Sequence, residues 1–318
     1  MANQISFETF RQQAATYTAI PIYETLVFDS YSPLSAFYQF KDRDNYVFLE
    51  GVSSHEQHSR YSYLALDPFF RVQCFEGHYV FINEQERKKH TGNVYDAISH
   101  VLNAYTYPVD CPDFYTGLVG NLSYECAHHH ETFKRPSYRE LHTPDAAFML
   151  PQLMLVFDKK YHNLTLVSTV FLDKTDVADE QKLRSLYDVA CKRIQESKQT
   201  LSQFKPITPV FLDNLVDNYE VIDAKASISK SDFLKHVERC KTYIEEGDIF
   251  QIQVSRRLSM PYENDPALLY RYLRNFNPSP LLFNIKLANY VLVGASPEIL
   301  VNVQDKEMFI RPIAGTRK

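Results

Sequence analysis

The period of hydrophobic and polar positions changes repeatedly along the chain, and each change marks an element. Residues 7–13 read as a short helix, 18–28 (TAIPIYETLVF) as a strand, 33–39 as a helix and 46–51 (YVFLEG) as a strand. Residues 53–86 are rich in Tyr, Phe and Val and are broken at Asp67, Pro68 and Gly77, the pattern of a loop followed by an antiparallel meander. Asn93 is placed to cap a helix whose Ile98, Val101 and Leu102 share one face. Residues 115–131 (YTGLVGNLSYECAHHHE) predict a strand leading into a helix. The runs AAFMLPQLMLVFD and LTLVSTVFLD, joined by KKYHN, predict a hairpin, and 180–201 a long amphipathic helix. Antiparallel strands mixed with helices predict an α+β unit over 1–205, an antiparallel-sheet sandwich with flanking helices.

Residues 206–226 contain two prolines and hold no sustained period, so they are expected to link that unit to a second one over 227–318. Ser229 and Asp232 resemble a capping box, and Phe233, Val237, Cys240 and Ile244 form the apolar stripe of the helix behind it. Residues 249–260 alternate like a strand with Gln251, Gln253, Ser255 and Arg257 on one face. A helix over 266–276 is stopped by NPSP. Residues 290–303 (YVLVGASPEILVNV) and 308–316 (MFIRPIAGT) read as two strands around a turn at Gln304, Asp305 and Lys306. Gly294, Pro297, Pro312 and Gly315 fall at strand ends, where backbone can approach a ligand closely.

At 318 residues and 45% hydrophobic composition, the chain is long enough for two domains with buried cores. The net charge of -5 is spread along the sequence without a basic run, which argues against nucleic acid and anionic membrane as partners. No apolar run reaches the length of a membrane span, and MANQISFETF has neither the basic nor the apolar region of a signal peptide, so the protein is expected in the cytoplasm. The five cysteines are scattered without CxxC spacing, as expected of reduced thiols.

Several groups suggest chemistry. His128, His129 and His130 point in different directions on a helix or a strand, so a solvated helix end competes with metal binding, and no metal ligand is assigned. GLVG at 117–120 has neither dinucleotide nor P-loop spacing and reads as a tight turn. Glu298 follows Pro297 as the only carboxylate of an apolar run, where an acid can keep a proton and deliver it near neutral pH.

GDIFQIQVSRRLSMP, FNPSP, VGASPE and RPIAGT occur in that order at spacings that resemble the chorismate-utilising enzymes, in particular the large subunit of anthranilate synthase. FLEG, RYSYLALDPF and GLVGNLSYE resemble that family's regulatory half. The resemblance implies the chorismate-utilising enzyme fold and a lyase reaction: ammonia adds to the chorismate ring, the 4-hydroxyl leaves, and pyruvate is eliminated to give anthranilate for tryptophan biosynthesis. It also implies a glutamine amidotransferase partner as the ammonia source. Members that add water carry a lysine base where this chain has Gln251, and an amide cannot act as that base. Aminodeoxychorismate synthases, the alternative in folate biosynthesis, carry a nucleophilic lysine where this chain has Ala314.

By the same matching, Glu298 is the general acid for the leaving hydroxyl, and Ala314, Gly315 and Thr316 bind substrate, the last two at its ring carboxylate. The family's tryptophan site uses Leu-Glu-Ser and Pro-Tyr-Met segments, here Leu49, Glu50, Gly51 and Pro280, Leu281, Leu282. Glu50 would meet the effector's ammonium group, while loss of the serine and tyrosine predicts weak tryptophan binding. The family continues beyond the PIAGT segment, so 227–318 is expected to be an incomplete chorismate-binding domain. The magnesium carboxylates and the groups for the pyruvyl end are expected in the part that follows. A non-catalytic binding or regulatory module is the rival from another class.

Overall fold

The computed structural model describes residues 5–52, 60–112, 115–132, 141–173, 176–203, 205–209, 224–304, 306–310 and 312. The chain forms two compact units, Met1–Ile207 with Pro266–Lys318, and Thr208–Asp265. The division expected from sequence placed everything after 227 in a second domain. Instead 266–318 groups with the N-terminal unit, and residues 210–223 of the expected linker lie outside the described residues.

The first unit opens with α1 (Phe7–Ala14), β1 (Ala19–Val27), α2 (Pro33–Phe40), β2 (Tyr46–Gly51), β3 (Tyr61–Phe75), β4 (His78–Ile82), β5 (Arg87–Thr91) and α3 (Val94–Ala104). It continues through β6 (Val119–Leu122), a 3-10 turn at Tyr124–His129, β7 (Ala146–Asp158), β8 (Asn163–Phe171) and α4 (Glu180–Ser202). The second unit holds β9 (Lys225–Ala226), α5 (Lys230–Glu245) and β10 (Leu258–Ser259). The chain then returns to the first unit with α6 (Pro266–Phe276), β11 (Leu281–Lys286), β12 (Val291–Ser296), β13 (Asn302–Gln304) and β14 (Glu307–Phe309).

Ten strands make one sheet in the order β1-β8-β7-β3-β2-β11-β12, with β4 and β5 extending from β3 and β6 pairing with β7. Its pairings are antiparallel, as the α+β reading expects. Register aligns Phe48, Leu64, Leu155 and Leu166 across four neighbouring strands, all fully buried. Phe10, Phe37, Ile194 and Tyr270 from α1, α2, α4 and α6 cover that face. Each such side chain contributes about 1.5–3 kcal/mol when withdrawn from water, so this layer is the main stabiliser of the unit.

β11 explains why 266–318 belongs here. Leu281 to Lys286 pair with Gly51 to Tyr46, satisfying the backbone groups that β2 would otherwise leave open at an edge. The expected break at Asp67 and Pro68 is instead a bulge inside one long strand. Pro68 lies opposite Pro151, so the two residues without an N–H face each other and neither removes a needed donor from its neighbour. Asp67 takes a φ of 50° at that bulge.

Other local expectations shift. α3 is capped by Asn93 but buries Val94, Ala97 and Val101, while Leu102 is exposed. Gly120 in β6 runs so close to β7 that a Cβ would meet the Ala147 carbonyl oxygen at 2.0 Å, a role in sheet packing rather than in a turn. In the second unit Ser229 accepts from the Asp232 N–H, but α5 buries none of its residues: Phe233, Val237 and Cys240 are half-buried and Ile244 is exposed. Gly247 ends the helix with a φ of 82°. The strand expected over 249–260 is reduced to Leu258–Ser259 paired with Lys225–Ala226, because among the described residues only those two positions find a ladder partner. The strand expected over 290–303 is split at Pro297 into β12 and β13, and β13 and β14 form the expected hairpin.

Candidate functional site

β12 carries the VGASPE segment to its end. Gly294 pairs with Phe283, and a Cβ there would lie 2.0 Å from the Phe283 ring, which therefore occupies the space the missing side chain leaves. The close approach at Gly294 is thus to a cross-strand aromatic ring and not to an open ligand surface. After Ser296 the strand stops, and the Ser296 hydroxyl donates to the Glu298 carbonyl oxygen at 3.0 Å, fixing the Pro297 bend. Glu298 itself is exposed, as are Pro297 and Leu300. The apolar enclosure expected around this carboxylate is not supplied by its own strand.

Gln251 lies in the second unit, in an irregular exposed stretch between Gly247 and Leu258, and Glu298 lies in the first unit. Ala314, Gly315 and Thr316 lie outside the described residues. Among the described residues no group of three or more His, Cys, Asp or Glu is placed to hold a metal ion. His129 and His130 close the 3-10 turn against Tyr95, with ring centroids 6.0 and 4.5 Å away.

The two segments matched to the effector site are brought together. Gly51 pairs with Leu281 and Glu50 with Leu282, and the Val52 N–H donates to the Pro280 carbonyl at 2.8 Å. Glu50 is 3% exposed and its carboxylate is fully engaged. The Tyr270 hydroxyl donates to it at 2.6 Å, and Arg274 donates through Nε and Nη2 at 3.0 Å each, a two-pronged clamp from α6. Burial and then the neighbouring carboxylate push the Tyr270 hydroxyl well above the usual phenol range, so it stays a donor. Lys159 completes the cluster by donating to the Gly51 carbonyl, and burial holds its ammonium below the ordinary lysine value.

Tyr270, Arg274 and Lys159 were not singled out from sequence. A signal existed for the first two, since residues four apart share a helix face. Nothing local told that this face would meet Glu50, which is more than two hundred residues earlier in the chain.

Comparison with known proteins gives these placements a frame. The chain is 29% identical over 322 residues to anthranilate synthase component 1 of Bacillus subtilis, covering 99% of this chain and 61% of that protein. It is 33% identical over 323 residues to the protein of the same name from Pseudomonas putida, covering 98% of this chain and 62% of that one. Its fold matches the crystal structure of anthranilate synthase component I from Streptococcus pneumoniae TIGR4 with a TM-score of 0.57 at 24% identity, over 88% of this chain and 58% of the other, a likeness of fold. The chain therefore spans about three fifths of the length of the relatives it matches. Residues 52–318 match the family described as chorismate binding enzyme, and the motif order, the antiparallel fold and the relatives agree with that match: the chain belongs to the chorismate binding enzyme family.

Proposed function

We propose that this chain is the N-terminal part of an anthranilate synthase large subunit. In the complete enzyme ammonia adds to the ring of chorismate, the 4-hydroxyl leaves as water and pyruvate is eliminated, leaving anthranilate. The observation that carries this choice within the family is the pair Gln251 and Ala314. Where water-adding members place a lysine base, Gln251 can hydrogen-bond but cannot abstract a proton, so ammonia, already a nucleophile, is the better co-substrate. Ala314 removes the nucleophilic lysine that aminodeoxychorismate synthases use. The similarity to anthranilate synthase component 1 along nearly the whole chain supports the same choice.

In this reading Glu298 gives a proton to the departing hydroxyl. Its exposed place at the end of β12 leaves room for substrate, and the remaining length of the enzyme supplies the apolar cover. Gly315 and Thr316, beside Ala314, receive the ring carboxylate. Ammonia comes from a glutamine amidotransferase, the magnesium ligands lie outside this chain, and the enzyme works in the cytoplasm in tryptophan biosynthesis. Among the described residues no helix is long and apolar enough to cross a membrane.

The test is an anthranilate fluorescence assay with chorismate, ammonium and magnesium. A full-length enzyme carrying this N-terminal sequence is expected to make anthranilate, and the 318-residue chain alone to make none above a heat-killed control. Accumulation of an aminated chorismate that keeps its pyruvyl group, or of a hydroxylated isomer, would overturn the assignment.

A further inference from the structure

Two arginines of the first unit are partly withdrawn from water. Among the described residues neither forms a direct ion pair with a carboxylate, although Asp44 acts on Arg71, and Asp67 and Glu196 act on Arg193, from a distance. Arg71 on β3 donates one bond, from Nη1 to the Leu287 carbonyl at 3.3 Å. Arg193 on α4 donates from Nη1 to the Ser168 hydroxyl at 2.8 Å and from Nη2 to Gln152 Oε1 at 3.2 Å. Other half-buried arginines here are treated differently: Arg274 holds Glu50 at 3.0 Å, and Arg60 holds Asp158. Burial lowers the pKa of both Arg71 and Arg193, whereas the bond to Asp158 raises that of Arg60. A guanidinium taken out of water and hydrogen-bonded to neutral groups, with carboxylates acting on it only from a distance, is costly, and a counter-ion in direct contact offsets that cost.

Arg71 and Arg193 line the same cleft, of about 500 Å³, at the Asp67 bulge. That volume is in the range of small-molecule sites. Arg43 stands beside Asp67 at 3.5 Å and is 54% exposed, so this carboxylate is already shared with a third cation. Exposed Asp44 and Glu84 also line the cleft and disfavour polyanions. A structural tie of α4 to β7 and β8 accounts for the bonds of Arg193. It does not account for Arg71, which faces the same space with one long bond and four further N–H donors.

We propose that this cleft binds the carboxylate or phosphate head group of a small molecule through Arg71 and Arg193. The planar guanidinium fork suits both groups. The test titrates the full chain with inorganic phosphate and, separately, with acetate at constant ionic strength, following heat and melting temperature. One of the two anions is expected to bind saturably at one site, and the better one identifies the head group. Arg71→Gln is expected to weaken that binding about tenfold or more, as loss of a charged hydrogen-bond donor does, while Arg239→Gln on α5 leaves it unchanged. Arg193→Gln is read only if its melting in the absence of anion matches the parent chain; otherwise Arg71→Gln decides alone. Absence of saturable binding by both anions, or unchanged binding in Arg71→Gln, would overturn the proposal.

Discussion

Loss of a ring hydroxyl is slow unless its oxygen is protonated as the bond breaks, and Glu298 carries that demand in the proposed reaction. Glu298→Gln keeps the shape and removes the proton, so in the full-length enzyme turnover should fall about 10² to 10⁴-fold. Because Glu298 is exposed at a strand end, melting should stay as in the parent. Near-parental turnover at unchanged melting would remove Glu298 from the role. A second expectation concerns groups that must stay neutral. Burial pushes the Cys74 thiol from 9.0 up to about 12 and the Tyr105 hydroxyl from 10.0 up to about 12. In the unfolded chain both ionise at their ordinary values, so above pH 9.0 the unfolded state releases protons that the folded state retains, and stability falls until about pH 12. Melting temperature should accordingly drop by about 5 °C or more between about pH 8 and about pH 11. A flat profile across that window would contradict the buried placement of these two groups.

Strands and helices bring a different kind of sensitivity. β6 packs on β7 with no room beside Gly120, where the obstructing atoms belong to the Ala147 and Phe148 backbone and cannot swing aside. Gly120→Ala should destabilise the chain by about 1–3 kcal/mol, read from urea unfolding, with the slope against urea unchanged. The helices were legible because each carries its own instructions. Ser32 and Asn93 start helices with reciprocal caps, Ser229 supplies half of one, and Gly247 stops α5 in the left-handed region. Strands were legible where a hairpin closes locally, as between β7 and β8. They were missed or misjudged where the partner is remote: LLFNIK became a strand on β2, and the alternating run from Ile249 stayed irregular.

For the molecule as a whole, the contact that matters most joins the two ends of the first unit. α6 and β11 return to β2, and the Glu50, Tyr270 and Arg274 cluster ties them under the main core. Arg274→Ala leaves a carboxylate that is 3% exposed with one hydroxyl donor, so it should lower stability by about 2–3 kcal/mol. Arg274 is 36% exposed, so solvent screening brings the loss below that of breaking a fully buried pair. Calorimetric melting is the check, and an unchanged melting temperature would mean that water replaces the clamp without loss.

Family and fold class could be read from residues alone, because binary patterning, caps and a long ordered series of motifs are all local properties of the chain. The roles offered for Gln251, Glu298 and the 314–316 segment also rest on local matching. The tertiary structure decided that 266–318 completes the N-terminal sheet, that Glu50 is clamped by Tyr270 and Arg274, that Phe283 fills the space at Gly294, and that Arg71 and Arg193 share a cleft. Each of these depends on which remote backbone pairs with which. Register across a sheet is set by the summed burial of a whole face, a quantity that no stretch of sequence carries within itself.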